Sequence, residues 1–512
     1  MKSKKSSYFL YFIYISAFIL INLISMNYFK RIDLTDNKMY SLSDSSKLTI
    51  DKIDDPLIID LYFSDDLPGQ LQNNRRYIQD ILEEYAAYSN HINFYFIKND
   101  ENFSSKAKAE GLQSQDIKVI ENDEVTFKTI IMGMKLRYNG KTEILPMLGI
   151  SAGLEYTITR TIKKLIDEKQ HTIAIGQVGT KVGLYENINT LLGERFIINN
   201  NVVLSSLEDS NIDLLLLGNI EGDLTDDELN NLRIFINSGK KLFLAQGKIN
   251  TDLQTWQGTV KQSNIYNFLN EYGLNIEENL ILDQNSKKII ATSGGGGLAS
   301  FFNRMQIDYP LIPTITEFQS HDNITTGLED LQAVQIAFPS EITFTDTSNV
   351  NTFLPLLSTS ENSATMSEFF NLGALPEVNP ILNNLNESSK IIGAKLILPS
   401  GGEIVLITDS EFFDDNNLAH RPMVRNDINE NYTFIENIID VMIGDAELVS
   451  LRSREIISRP LIDEALGKEN TSLRTKWKWI NIFLPSLLVI GYGLIRRRNI
   501  NKKSKYILDY YG

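Results

Sequence analysis

The chain has no cysteine in 512 residues. That removes thiolate nucleophiles, Cys-ligated zinc and thiol redox chemistry together, and with them an amidotransferase-like nucleophile on an α/β sheet. It also leaves no disulfide to brace an outward-facing domain, so every domain must rest on an ordinary apolar core. Histidine is scarce as well: His91, His171, His321 and His420 are the four present, and none lies in an H-E-x-x-H pattern. A G-x-S-x-G string occurs once, at Gly149-Ile-Ser-Ala-Gly153, and His321-Asp322 is not by itself enough to make a triad of it. Neither a Gly-x4-Gly-Lys-Ser/Thr loop nor a Gly-x-Gly-x-x-Gly turn occurs. No ATPase is encoded here, and no residue set rises to catalysis.

Charge is missing in two places. Tyr8 to Phe29 is an uncharged run of 22 residues and Trp479 to Ile495 one of 17. A hydrocarbon layer of about 30 Å needs roughly 17–25 helical residues, so both runs are read as transmembrane helices, over 8–29 and 477–495. The first has no A-x-A-like cleavage site and exceeds a signal peptide's apolar region, so it is read as an uncleaved anchor. The second contains Asn481, Pro485, Gly491 and Gly493, and Trp477 and Trp479 stand at its start, where indoles favour the headgroup boundary. Lys2, Lys4 and Lys5 precede the first run. Arg496, Arg497, Arg498, Lys502, Lys503 and Lys505 follow the second. Positive residues stay inside, so residues 1–7 and the basic tail 496–512 are expected in the cytoplasm and the large middle outside it. With a total of −16, residues 32–495 carry −26. So acidic an ectodomain repels nucleic acid, and its carboxylates read first as a solvated surface.

Between the anchors, about 450 residues predict two or three domains. Residues 33–168 read as β-α-β-α-β-β-α. Ser43 caps a helix over 44–53, Pro56 to Phe63 is a strand, and 70–88 is an amphipathic helix. Asn139-Gly140 joins the strands Val125–Tyr138 and Thr142–Met147 as a type I′ hairpin. The order resembles a thioredoxin-like domain without its Cys pair, and so a binding or spacer module. A second α/β domain spans 171–444. Strands at 172–175, 196–204, 213–218 and 241–245 alternate with helices, and Thr225-Asp-Asp-Glu228 has capping-box form. Continuous apolar strands argue a parallel sheet covered on both faces. From 254 to about 330 the pattern loosens, and a β-rich extension follows with strands at 391–398 and 403–408. A connector over 445–476 leads to the second anchor.

Three segments invite a functional reading. Gly176 to Gly183, with Gly179 and Lys181, follows a strand and precedes a helix, where phosphates bind, but it fits a plain strand-to-helix turn. Gly294 to Gly297 reads as a flexible loop. Asp409, Glu411, Asp414 and Asp415 follow a strand as clustered carboxylates that suit Ca²⁺ or Mg²⁺, though the spacing is not that of an EF-hand. No metal and no cofactor is assigned.

Four segments carry a family likeness: Arg31-Ile-Asp-Leu-Thr35 with Tyr40-Ser-Leu-Ser43, Tyr309-Pro-Leu-Ile-Pro313 through His321 to Leu328, Leu354-Pro-Leu-Leu-Ser-Thr-Ser360, and Ile404 to Ser410 leading to Asn437. In this order the chain resembles the gliding-motility-associated ABC transporter auxiliary proteins (GldG-like) of Gram-negative bacteria. His321-Asp322 stands where that family tends to have His-Pro. The resemblance implies a non-catalytic accessory subunit in the inner membrane, both termini cytoplasmic and its bulk periplasmic. It would act beside a multi-span ABC permease and a separate ATPase in gliding motility or export. Gly179, Lys181, His321, Trp477 and Trp479 are the expected ligand or partner contacts. A membrane-anchored solute-binding receptor and a metal-dependent envelope hydrolase are the alternatives.

Overall fold

The computed structural model describes residues 14, 16–18, 41–121, 124–148, 153–167, 169–178, 185–207, 211–292, 304–318, 327–328, 331–345, 352–424, 427–453 and 471–511. Two compact units emerge, residues 1–454 and 455–512.

In the first unit, Ser43 begins α1 (Asp44–Ile50), its hydroxyl accepting from Ser46 N–H at 3.0 Å. There follow β1 (Leu57–Phe63), α2 (Gly69–Tyr88), β2 (Ile92–Phe96), α3 (Phe103–Ala109), β3 (Ser114–Glu121), β4 (Glu124–Tyr138), β5 (Lys141–Leu145) and α4 (Leu154–Ile166). The hairpin at Asn139-Gly140 forms, both residues left-handed at φ 51° and 79° as a I′ turn demands. β3 was not foreseen. It pairs antiparallel with the first half of β4, where Ile117, Val119 and Phe127 lie among charged and polar residues and give little alternation. The sheet runs β2–β1–β4–β3, and β5 also pairs with β4. Leu57, Ile59 and Leu61 of β1 and Met132, Met134 and Leu136 of β4 face α2 and α4 in one core, while Tyr62 and Ile131 meet α3 on the other face.

Next come β6 (Thr172–Gln177), α5 (Glu186–Gly193), β7 (Ile197–Val203), β8 (Leu214–Gly218), α6 (Asp226–Asn237) and β9 (Lys241–Ala245). Both arms of the Thr225/Glu228 capping box are made. These four strands are parallel, as expected. Far down the chain, β18 (Thr352–Ser358), β20 (Ile391–Ile397) and β21 (Glu403–Ile407) complete the sheet in the order β18–β20–β21–β9–β8–β6–β7, with β21 parallel to β9. Alternation decides the faces. Leu214, Leu216, Phe243 and Val405 face α5 and α8 (Asn431–Met442), whereas Leu215, Leu217, Leu242 and Leu406 face α6 and α7 (Ile265–Glu271).

The stretch from 254 to about 330, where the sequence pattern loosens, belongs to a region from 249 to 366 whose described residues include several small strand pairings. They are β10 (Ile249–Asp252) with β11 (Gln257–Val260), β12 (Leu274–Ile276) with β17 (Ile342–Phe344), β13 (Leu280–Asp283) with β19 (Ser363–Met366), and β14 (Ser286–Thr292) with β15 (Arg304–Ile315), which continues to β16 (Val334–Gln335). The connector starts as a helix, α9 (Ala446–Ser453), that packs against α1 and α4.

In the second unit a 41-residue helix, α10 (Thr471–Tyr511), contains the apolar stretch Lys478–Arg498, long enough to cross a membrane. Its apolar side chains are exposed, Leu487, Val489 and Ile490 among them. The expected first anchor, 8–29, lies outside the described residues except for Tyr14 and 16–18, which are helical.

Candidate functional site

The parallel strands end along one edge of the seven-stranded sheet, where open α/β folds keep their ligand crevices. Among the described residues little space is left there. Tyr185, Gly218, Asn219, Ser410, Glu411, Phe413 and Asp414 leave a void of about 10 Å³, and Phe413 sits edge-on to Phe243 with ring centroids 4.9 Å apart. Lys261 Nζ donates to Asn219 Oδ1 (2.8 Å) and Ser410 Oγ (2.7 Å), tying the ends of β8 and β21 together. Gly247 permits the close approach after β9: a Cβ there would lie 2.6 Å from the Thr408 carbonyl oxygen.

The carboxylates after β21 part company. Asp409 is buried and accepts from Ala337 N–H (2.9 Å), Glu411 N–H (3.0 Å) and the Asn417 amide (2.8 Å). Burial pushes its pKa up to about 7, against the lowering effect of those donors. Asp415 turns to the start of α5, accepting from Glu186 N–H (2.8 Å) and Asn187 N–H (3.2 Å). Asp414 accepts from Asn416 N–H at 2.8 Å. Among the described residues no group of three or more histidines and carboxylates is placed to hold a metal ion. His420 closes the same loop between Phe412 (5.8 Å) and Tyr432 (4.8 Å), both ring nitrogens buried without a partner. Burial lowers its pKa to about 4.

Gly179, Lys181, His321 and the Gly294–Gly297 run lie outside the described residues. Trp477 and Trp479 both fall on α10. Trp479 is exposed and stacks on Phe483 at 5.3 Å.

A second assembly was not anticipated: a buried ionic junction between α4 and the seven-stranded part. Tyr156 donates to Glu436 Oε1 at 2.8 Å and accepts from Arg452 Nη2 at 2.5 Å. Arg452 also pairs with Glu436 and Asp440, each at 2.9 Å. Arg195 pairs with Asp440 and Asp445, Lys163 meets Asp445 at 3.0 Å, and Arg160 meets Glu194 at 2.6 Å. Desolvation opposes the charge on Arg452, but Tyr156, Asp440 and Glu436 outweigh it and its pKa is raised. Desolvation raises Glu436, with Arg452 pulling the other way. One sequence signal for this junction was available: Glu436 and Asp440 stand one turn apart inside the apolar run of α8. The arrangement has no nucleophile and no cleft. It ties α4 to α8 and α9 through ion pairs whose partners are mostly buried.

Comparison with known proteins adds the following. Residues 187–438 match the model of a family described as an ABC-type uncharacterized transport system. Residues 36–137 match a family described as a domain of unknown function. An uncharacterized protein of Borreliella burgdorferi is 23% identical over 503 residues, covering 92% of this chain and 94% of that protein. Among solved structures, an mmIFT52 N-terminal domain aligns at TM-score 0.34 and 14% identity, over 53% of this chain and 98% of that one. A putative ThuA-like protein from Bacteroides uniformis aligns at TM-score 0.30 and 10% identity, over 54% and 93%. Likenesses this slight carry no argument. The family match supports an auxiliary part in ABC-type transport, and with the apolar helix of α10 it supports association with a membrane.

Proposed function

We propose that this chain is a non-catalytic, membrane-anchored accessory subunit of an ABC transport system linked to gliding motility or export. The match of residues 187–438 carries the proposal. The chain has no phosphate-binding loop of its own, so energy comes from a separate ATPase. One or two spans cannot enclose a path, so a multi-span permease supplies it. In this reading 33–168 is a thioredoxin-like spacer, consistent with the order β2–β1–β4 and β5 beside β4. The domain 171–444 and the Trp477/Trp479 region meet partners, the bulk is periplasmic and both termini are cytoplasmic.

The test is affinity isolation from mild-detergent membranes with crosslinking and mass spectrometry. Stoichiometric recovery of a permease and a P-loop ATPase is expected; recovery of the chain alone after crosslinking would sink the proposal. Orientation is tested directly because the chain is free of cysteine. An impermeant maleimide added from outside should label Ser400→Cys and spare Ser504→Cys.

A further inference from the structure

Beside the edge strand β18 lies a cavity of about 540 Å³, lined from the end of β13, the end of β15, the turn after β18 and the approach to β20. That volume is within the roughly 300–1,000 Å³ usual for small-molecule sites. Its charge is one-sided. Asp283, Glu317 and Glu361 line it, with hydroxyls and amides but no lysine, arginine or histidine among the lining residues.

Asp283 is fully buried, and carboxylates are almost never fully buried unless paired. It accepts from Ser360 N–H (2.6 Å), Ser360 Oγ–H (2.5 Å) and Asn285 N–H (3.0 Å), all neutral donors. The nearby cations are engaged elsewhere. Lys390 pairs with Glu341 (3.8 Å) and Glu387 (3.7 Å), and Lys287 with Asp427 (2.5 Å). Glu317 and Glu361 are exposed and have no ion pair among the described residues. Thr314 Oγ1, also in the lining, is buried without a hydrogen-bond partner. Half-buried Phe318, packed against the apolar core, also lines the cavity.

We propose that this cavity binds an organic cation bearing an alkyl-ammonium or guanidinium group, with Asp283 as the buried counter-charge, Glu317 and Glu361 at the mouth and Thr314 as a further acceptor. Among the described lining residues an anionic solute would meet three carboxylates and no cation. A free polyamine and a basic peptide side chain share this chemistry. The proposal stands independently of the accessory-subunit reading.

The experiment is calorimetric titration of the full-length protein in detergent with spermidine and, separately, with a trilysine amide. Saturable one-to-one binding is expected, weakened at least tenfold in E317Q/E361Q and within twofold of wild type in D226N/D227N, a change confined to the exposed first turn of α6. Tighter spermidine binding identifies a small solute, and tighter trilysine binding a peptide. Three results would each overturn the proposal: no saturable binding of either probe, equal weakening by the α6 variant, or equal binding of sorbitol. Unchanged thermal unfolding of E317Q/E361Q confirms that a loss of binding is not a loss of fold.

Discussion

The interdomain junction and the sheet's far edge treat buried charge in opposite ways. At the junction buried Lys163, Arg195 and Arg452 are answered by Glu436, Asp440 and Asp445, with the Arg160–Glu194 pair open to solvent at the rim. At the edge Asp283 and Asp409 rest on neutral donors, and His420 stays neutral with no donor or acceptor. A matched cluster resists being opened, since each buried charge depends on its neighbours. Asp409 and His420, buried without a counter-charge, resist ionisation instead and so respond to protons.

The contrast breaks most readily at Arg452. Arg452→Met leaves Glu436 and Asp440 short of a counter-charge, and urea unfolding should show a loss of about 3–5 kcal/mol. A loss below 1 kcal/mol would mean the junction is not matched in the sense argued.

Next in size is a pH response at the edge. The Asp409 carboxyl titrates near 7 folded and near 3.8 unfolded. The folded state holds the extra proton between those values, so this group adds stability as pH falls through 7. His420 has its folded pKa depressed to about 4 from 6.5. There the unfolded state holds the extra proton, and stability is lost as pH falls from 6.5. The two oppose each other from about pH 6.5 to 4. Relative to wild type, Asp409→Asn should therefore lose stability as pH falls from 7 to 5, and His420→Leu should gain it from 6.5 to 4. Each change is up to about 3 kcal/mol. Parallel pH profiles for all three proteins would remove Asp409 and His420 from the comparison.

A smaller effect sharpens the junction. Tyr156→Phe removes one donated and one accepted hydrogen bond but no charge, and should cost about 1–2 kcal/mol. The smallest belongs to the cavity mouth, where E317Q/E361Q should change folding stability by no more than about 0.5 kcal/mol, as expected of exposed groups.

Local signals were legible where one element decides its own fate. Ser43, Asn139-Gly140 and the Thr225/Glu228 box all act within four residues, and each behaves as its chemistry requires. The apolar runs of β8 and β9 announced a covered parallel sheet. What escaped was pairing at a distance. Nothing in Glu403–Ile407 says that its parallel neighbour is Lys241–Ala245, and strands such as β10, β11, β12, β13, β16, β17 and β19, two to four residues each, are too short for periodicity to register. The acidic cluster after β21 was visible as a cluster, but side-chain direction separated it, with Asp409 inward and Asp415 onto α5. The junction stayed hidden because Tyr156, Arg195 and Arg452 look like ordinary surface residues until three helices meet.

The partnership of β9 with β21 has a consequence in time. Roughly 160 residues separate Ala245 from Glu403. At about 5–20 residues per second of synthesis, β9 exists for on the order of 8–30 s before its neighbour is made. During that interval Leu242, Phe243 and Leu244 have a bare strand edge, the kind that recruits other chains. Closing so long a loop is also slow. Folding of the nascent chain therefore depends on that edge being shielded until β20 and β21 arrive, and truncations ending between 245 and 403 should aggregate where the full chain does not.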